Sequence, residues 1–234
     1  MLFKNISFKT PEENISYDEV LFHLAEKNDS QEVLRLWESP DYFVVLGRIS
    51  KEDEDVNSLN VKKDNIKVIR RSSGGGTVLQ GKGCLNFSLI LSKDKRKELS
   101  DLKSSYQYIL NKVINVLKRL NVDAVFYPIS DIAIAGTKMK ISGNAQKRGR
   151  NFILHHGTVL YDLDIKKIEE YLLVPKNMPE YRQKRNHDEF VANINISASD
   201  FESEIKKEFD VDQEEHGITQ KEDALLRVLV EKKF

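Results

Sequence analysis

The 234 residues set 37 Lys+Arg against 37 Asp+Glu, with 40% hydrophobic and 32% charged residues, an ordinary globular composition whose balanced charge favours neither nucleic acid nor a membrane surface. The single cysteine, Cys84, excludes an intramolecular disulfide and a multi-cysteine zinc site and fits a reducing compartment. No apolar run reaches the length of a signal-peptide core or a membrane span, so a cytoplasmic protein is expected.

Leu2 to Phe8 alternates weakly and predicts an edge strand. Thr10-Pro11-Glu12-Glu13 and Ser16-Tyr17-Asp18-Glu19 both have the capping-box form, and Val20, Leu21, Leu24 and Ala25 recur at helical spacing, predicting a helix to about Asn28. Val33 to Trp37 and Tyr42 to Arg48 read as a pair of strands joined by a turn at Ser39-Pro40-Asp41, with Trp37 and Tyr42 in the core or a cleft wall. Lys51 to Asp64 reads as a solvated short helix and loop without a binding role, and Ile66 to Ile69 as a strand leading to Arg70.

The chain is organised around Arg70 to Leu91, RRSSGGGTVLQGKGCLNFSLIL, which closes on a buried-strand pattern. Consecutive glycines lose much backbone freedom on folding, and two readings account for them. One is a tight turn between strands; the other is an anion cradle in which Gly74, Gly75 and Gly76 offer amide groups while Arg70 or Arg71 supplies charge. Gly76 to Lys82 has P-loop spacing, but Gly83 stands where a magnesium-binding Ser or Thr belongs and a strand pattern follows, so a P-loop is rejected.

From Ser100 onward, Leu102, Tyr106, Ile109, Leu110, Val113, Val116, Leu117 and Leu120 form one apolar helix face. Asp131 to Ala135, a turn at Gly136-Thr137 and a return through Lys138 to Ile141 predict a hairpin with Lys138 and Lys140 on one face. The small residues Ser142 to Ala145 then suggest a close approach to the backbone. Phe152 to Tyr161 predicts a strand whose His155 and His156 face opposite ways. Helices are expected near Ile165 to Leu172, Asp200 to Phe209 and Lys221 to Lys232, and Tyr181 to Arg185 reads as a solvated basic patch. No Pro/Gly/Ser-rich linker divides the chain, so one domain of mixed α and β elements is expected.

An anion cradle, a strand lysine, an acidic residue opening the same hairpin and neighbouring histidines suit phosphate-linked acyl transfer. Lysine and arginine would bind an α-phosphate and polarise an acyl carbonyl, and Asp131 would help place a magnesium ion. No Ser-His-Asp arrangement stands out. Cys84 reads as a small buried hydrophobe.

RRSSGGGTV at Arg70 to Val78, SDI at Ser130 to Ile132, KMKISGNAQ at Lys138 to Gln146 and HHGTVLYD at His155 to Asp162, supported by LRLWESPDYFVVLGR from Leu34, resemble the lipoate-protein ligase family within the biotin and lipoyl protein ligases. The resemblance implies an α+β fold related to class II aminoacyl-tRNA synthetases, a mixed and largely antiparallel sheet flanked by helices. It implies that lipoate and Mg-ATP give lipoyl-adenylate, whose acyl group passes to a lysine of a lipoyl-domain acceptor of the 2-oxoacid dehydrogenase E2 or glycine cleavage H protein type. Lys140 matches the catalytic lysine. Arg70, Ser72, Gly74, Gly75, Gly76 and Thr77 would line the adenylate cleft with Gly143 and Ala145, and His156, Gly157 and Thr158 would form the opposite wall.

The resemblance implies that single-chain bacterial members carry a further C-terminal domain, and none is expected within residues 1–234. A separately encoded accessory chain, a transferase accepting a preformed acyl donor, and a compact self-sufficient ligase are the expectations that follow. The alternatives are a lipoyl or octanoyl transferase working through a cysteine thioester, for which Cys84 is badly placed, a biotin ligase, whose glycine loop interleaves arginine, and a non-catalytic lipoyl-binding subunit.

Overall fold

The computed structural model describes residues 1–28, 31–176 and 178–234. In chain order its elements are β1 (Leu2–Asn5), α1 (Pro11–Asn28), β2 (Val33–Trp37), β3 (Phe43–Leu46), α2 (Glu52–Asp55), α3 (Ser58–Lys63), β4 (Lys67–Arg70), β5 (Val78–Gln80) and β6 (Cys84–Ser92). There follow α4 (Leu102–Arg119), β7 (Ala124–Tyr127), β8 (Asp131–Ile134), β9 (Lys140–Arg148), β10 (Phe152–Leu160), α5 (Ile165–Tyr171), α6 (His187–Phe190), α7 (Ala198–Glu208), β11 (Gln213–Glu215) and α8 (Gln220–Lys233).

Eight strands form one sheet in the order β11-β1-β2-β6-β10-β9-β8-β7, and β4-β3-β5 form a second. In the large sheet β11, β1 and β2 run parallel and every other pairing is antiparallel, which is the mixed, largely antiparallel architecture expected. Every residue of β6 is buried, as a strand covered on both faces requires. One face of the sheet packs against α4 and α7 through Leu34, Leu36, Phe87, Leu89 and Ile153. The other receives α1 through Tyr17, Val20, Leu21 and Phe22, and beyond α1 it stays open as the floor of a cleft.

Local signals were obeyed where they were self-contained. The Thr10 box caps α1, with the Glu13 amide donating to Thr10 Oγ1 and the Thr10 amide donating to Glu13 Oε2. Asp101 accepts from the Ser104 amide at the start of α4, whose predicted apolar residues are buried apart from half-exposed Leu102 and partly covered Leu120.

Where pairing partners are distant, the sequence misleads. Ser16 to Glu19 lies inside α1, not at a cap. β1 is no edge strand, because β11 from far along the chain adds outside it. β2 and β3 do not pair, since β2 joins β1 and β6 in the large sheet while β3 joins β4 and β5 in the small one. Lys138 sits in the turn at φ +56 and does not share the strand face with Lys140.

Candidate active site

Strand register lays out the cleft floor. Arg35, Ser88, His156 and Ala145 stand side by side across β2, β6, β10 and β9, and Trp37 stands beside Asn86 one pleat further along. On β8, Asp131 sits beside Gly143 of β9. Because side chains alternate in a strand, these residues share one face. The cavity above them holds about 320 Å³, and the small sheet and the segment from Leu163 to Val191 supply its remaining walls.

Lys140 opens β9 with its amine 2.7 Å from Asp131 Oδ1, and Tyr181 donates to Asp131 Oδ2 at 2.7 Å. Gly143 explains the small-residue patch: a Cβ there would lie 3.0 Å from both Cε and Nζ of Lys140, so the close neighbour of this backbone is the lysine itself. His156 faces the cleft and His155 the opposite side, as strand alternation predicts. Buried against Phe87 and Tyr106, the His155 ring accepts from Gln146 at Nδ1 and donates from Nε2 to Asn144 Oδ1. Burial pushes its pKa down to about 3. Asn144 in turn donates to the Ser130 carbonyl and to Ser142 Oγ, so the neutral imidazole braces a residue of the cleft floor.

The glycine loop is shaped by Arg71. Its guanidinium donates to the carbonyls of Gly74 and Gly76 at 2.7 and 2.8 Å and to Ser73 Oγ at 3.1 Å. Burial lowers its pKa to about 10. Gly75 takes φ +83, a conformation that glycine adopts without penalty. Of the predicted residues, Gly75, Gly76, Thr77, Asp131, Lys140, Gly143, Ala145, His156, Gly157 and Thr158 all line the cavity. Arg70 and Ser72 do not. The alternation of an extended strand turns Arg70 away, where it donates to the carbonyls of Gly47, Arg48 and Ser50, and Ser72 accepts from Lys147. The Gly74 carbonyl is held by Arg71 outside the lining, so Arg71 takes the place that Arg70 was expected to hold.

Ser73 Oγ lies 2.6 Å from His156 Nε2, and His156 Nδ1 lies 3.5 Å from Asp18 Oδ2. This is a serine, histidine and aspartate in line, drawn from positions too far apart for the sequence to show it. Ser73 is 1% exposed and already accepts from Arg71 Nε, so the line fastens the glycine loop to β10 and leaves no accessible nucleophile. Asp18 is held in turn by buried Arg35 at 2.6 Å and by Ser88; burial pushes its carboxyl up, but the Arg35 charge and the hydrogen bonds it accepts hold it below the usual range.

Other lining residues carry no local signal in the sequence. Asp55, in the segment read as solvated, accepts from Thr77 Oγ1 at 2.5 Å, and Arg182, in the supposed solvated patch, is buried on the cleft. Trp37, expected in the core or a cleft wall, lines the cleft from its floor, with its indole N–H unpaired among the described residues. Cys84 lines the cavity too, fully buried, and burial raises its thiol pKa. Among the described residues no group of three or more His, Cys, Asp or Glu is arranged to hold a metal, and no helix is long and apolar enough to cross a membrane.

A mixed sheet bearing a cleft with a strand lysine, a carboxylate and an arginine-braced glycine loop defines a class that comparison identifies. The model of the lipoyl protein ligase A/B catalytic domain matches residues 10–210, and the chain belongs to that family.

Among its relatives is lipoate-protein ligase A subunit 1 of Thermoplasma acidophilum, 29% identical over 94% of this chain and 88% of that one. Two Mycoplasma proteins named probable lipoate-protein ligase A are 33% and 30% identical, and this chain spans 46% and 63% of their lengths. In structure it is similar to a component of an archaeal bipartite lipoate protein ligase from T. acidophilum, with TM-score 0.83, 26% identity and coverage of 98% and 91%. It is also similar to a lipoate-protein ligase A bound with ATP, with TM-score 0.82, 26% identity and coverage of 98% and 94%. A T. acidophilum protein solved with bound lipoic acid aligns at TM-score 0.80 and 26% identity, covering 99% and 94%.

Proposed function

We propose that this chain is the catalytic part of a lipoate-protein ligase. The observation that carries the reading is the convergence of Lys140, Asp131 and the Arg71-braced glycine loop on one cleft, in a chain similar to proteins solved with ATP and with lipoic acid. In the first half-reaction a carboxylate oxygen of lipoate attacks the α-phosphorus of ATP and pyrophosphate leaves. In the second, the ε-amine of an acceptor lysine attacks the acyl carbonyl, AMP leaves, and the amine loses a proton. Lys140 donates to the carbonyl and α-phosphate oxygens, where charge accumulates in both steps. Asp131 and Gly143 hold its side chain in place, and Arg71 keeps the loop amides directed at the nucleotide.

Asp131 is a single carboxylate already shared between Lys140 and Tyr181, a donor set that fits magnesium only as a nucleotide-borne ion completed by phosphates and water. Bound in that way, magnesium would neutralise phosphate charge.

The likeness to a subunit 1 and to a bipartite ligase supports a second arrangement, in which a separate polypeptide assists adenylation and this chain by itself transfers from lipoyl-adenylate to a lipoyl domain. A thioester route is not favoured, because Cys84 is buried with its thiol pKa raised, and the thiolate is the nucleophile. Mass spectrometry of a purified lipoyl domain incubated with this chain tests the reading. Modification with lipoate and Mg-ATP marks a self-sufficient ligase, modification only with lipoyl-adenylate marks the assisted arrangement, and modification with neither overturns the proposal.

A further inference from the structure

Three buried guanidinium groups bear on the cleft, and their surroundings differ. Arg35 is matched by the Asp18 carboxylate at 2.6 Å. Arg71 spends its donors on the carbonyl and hydroxyl oxygens of the glycine loop. Arg182, 4% exposed, lies in a single 3-10 turn, Glu180–Arg182, and lines the cleft with Asp131 and Lys140.

Its Nε donates to the Arg185 carbonyl at 2.9 Å, its Nη2 faces His187 Nδ1 at 3.5 Å, and its guanidinium carbon lies 4.6 Å from the centre of the Phe190 ring. These partners carry no negative charge. His187 is buried, donates from Nε2 to the Leu173 carbonyl and so presents Nδ1 as an acceptor, a neutral state that its burial favours. Asp131 is committed to Lys140 and Tyr181, and among the described residues Arg182 forms no ion pair. A desolvated cation whose direct partners are all neutral, and whose nearby carboxylate, Asp131, is engaged by Lys140 and Tyr181, is costly until a further anion reaches it.

From this we infer that Arg182 binds a phosphate group of the nucleotide, an assignment that rests on the ATP-dependent reading above. The planar guanidinium fork suits phosphate oxygens. The acyl acid brings one negative charge, which Lys140 is placed to meet, whereas a nucleoside triphosphate brings several and needs a further cation. Phe190 and His187 hold the guanidinium in position without cancelling its charge.

Isothermal titration calorimetry with ATP, adenosine and lipoate, on the unaltered chain and on Arg182→Gln and Arg182→Lys, tests the assignment. Arg182→Gln is expected to weaken ATP binding about 10- to 100-fold, as loss of a charge-assisted contact should, while adenosine and lipoate binding stay unchanged. Arg182→Lys, which keeps the charge and loses the fork, should lose ATP affinity to a smaller extent and covers the case in which the glutamine variant does not fold. Equal weakening of all three ligands would show a structural role, and weakening of lipoate alone would show a carboxylate contact. Either result, or unchanged binding throughout, overturns the inference. Absence of ATP binding to the unaltered chain would overturn the reading in which this chain binds ATP by itself, and the inference with it, and would leave only the assisted arrangement.

Discussion

Lys140 is the residue on which the proposed chemistry turns. Lys140→Ala removes the donor aimed at the developing charge and leaves Asp131 with its bond from Tyr181. Acyl transfer to a lipoyl domain should fall at least about 100-fold, with the thermal midpoint and circular dichroism spectrum preserved. Full activity in that variant would remove Lys140 from the mechanism. The thiol gives the opposite expectation. Cys84 is buried and protonated, so Cys84→Ala should keep most of the transfer activity at a cost of about 1 kcal/mol in stability. Loss of transfer by the folded variant would bring back the thioester route.

At the scale of elements, the glycine loop depends on what lies behind it. A Cβ on Gly47, at the end of β3, would come within 1.9 Å of the Gly75 carbonyl oxygen. Gly47→Ala must therefore push the loop towards the cleft or out of it. The expected cost is about 1–3 kcal/mol, the range for overpacking, read from urea unfolding, together with a weakened ATP affinity by calorimetry. Nucleotide binding equal to that of the unaltered chain would mean that loop position does not govern the site. Gly157 has a comparable duty within β10, where a Cβ would meet Asn144 Oδ1 at 1.9 Å and Phe87 Cζ at 2.5 Å. The glycine keeps two pieces of the cleft floor and core in contact, which accounts for its place after the two histidines.

For the whole molecule, buried neutral histidine gives folding a pH dependence. Unfolded His155 takes up a proton near its ordinary 6.5, whereas the folded ring resists protonation until about 3. The unfolded chain therefore binds more protons between these values. Stability is complete above about pH 6.5 and is lost as pH falls towards 3, with His155 contributing about 3–5 kcal/mol across that window. His23 and His187, also lowered chiefly by burial, act in the same direction, so the difference between the unaltered chain and His155→Gln isolates this one group. Urea midpoints at pH 7 and pH 5 should separate less in the variant. An identical pH dependence in both proteins would assign the effect elsewhere.

The sequence by itself determined the elements whose causes are local. Helices α1, α4, α5, α7 and α8 follow from apolar spacing and caps, β6 and β10 from apolar runs, and the glycine loop with the Lys140 hairpin from motifs that carry their own chemistry. His155 and His156 lie on opposite faces because a strand alternates whatever its partners are. Strand partners were decided only in three dimensions: β11 covers β1 across most of the chain, and β2 and β3 part into different sheets though only Glu38 to Tyr42 separates them. Charge placement was hidden for the same reason. Nothing local distinguishes Arg71, which braces the loop, from Arg70, which turns away, or shows that Arg182 leaves solvent or that Asp18, Ser73 and His156 meet. Periodicity acts between neighbours along the chain, whereas burial and ion pairing depend on which distant segments close over a side chain, and that closure exists only in the folded molecule.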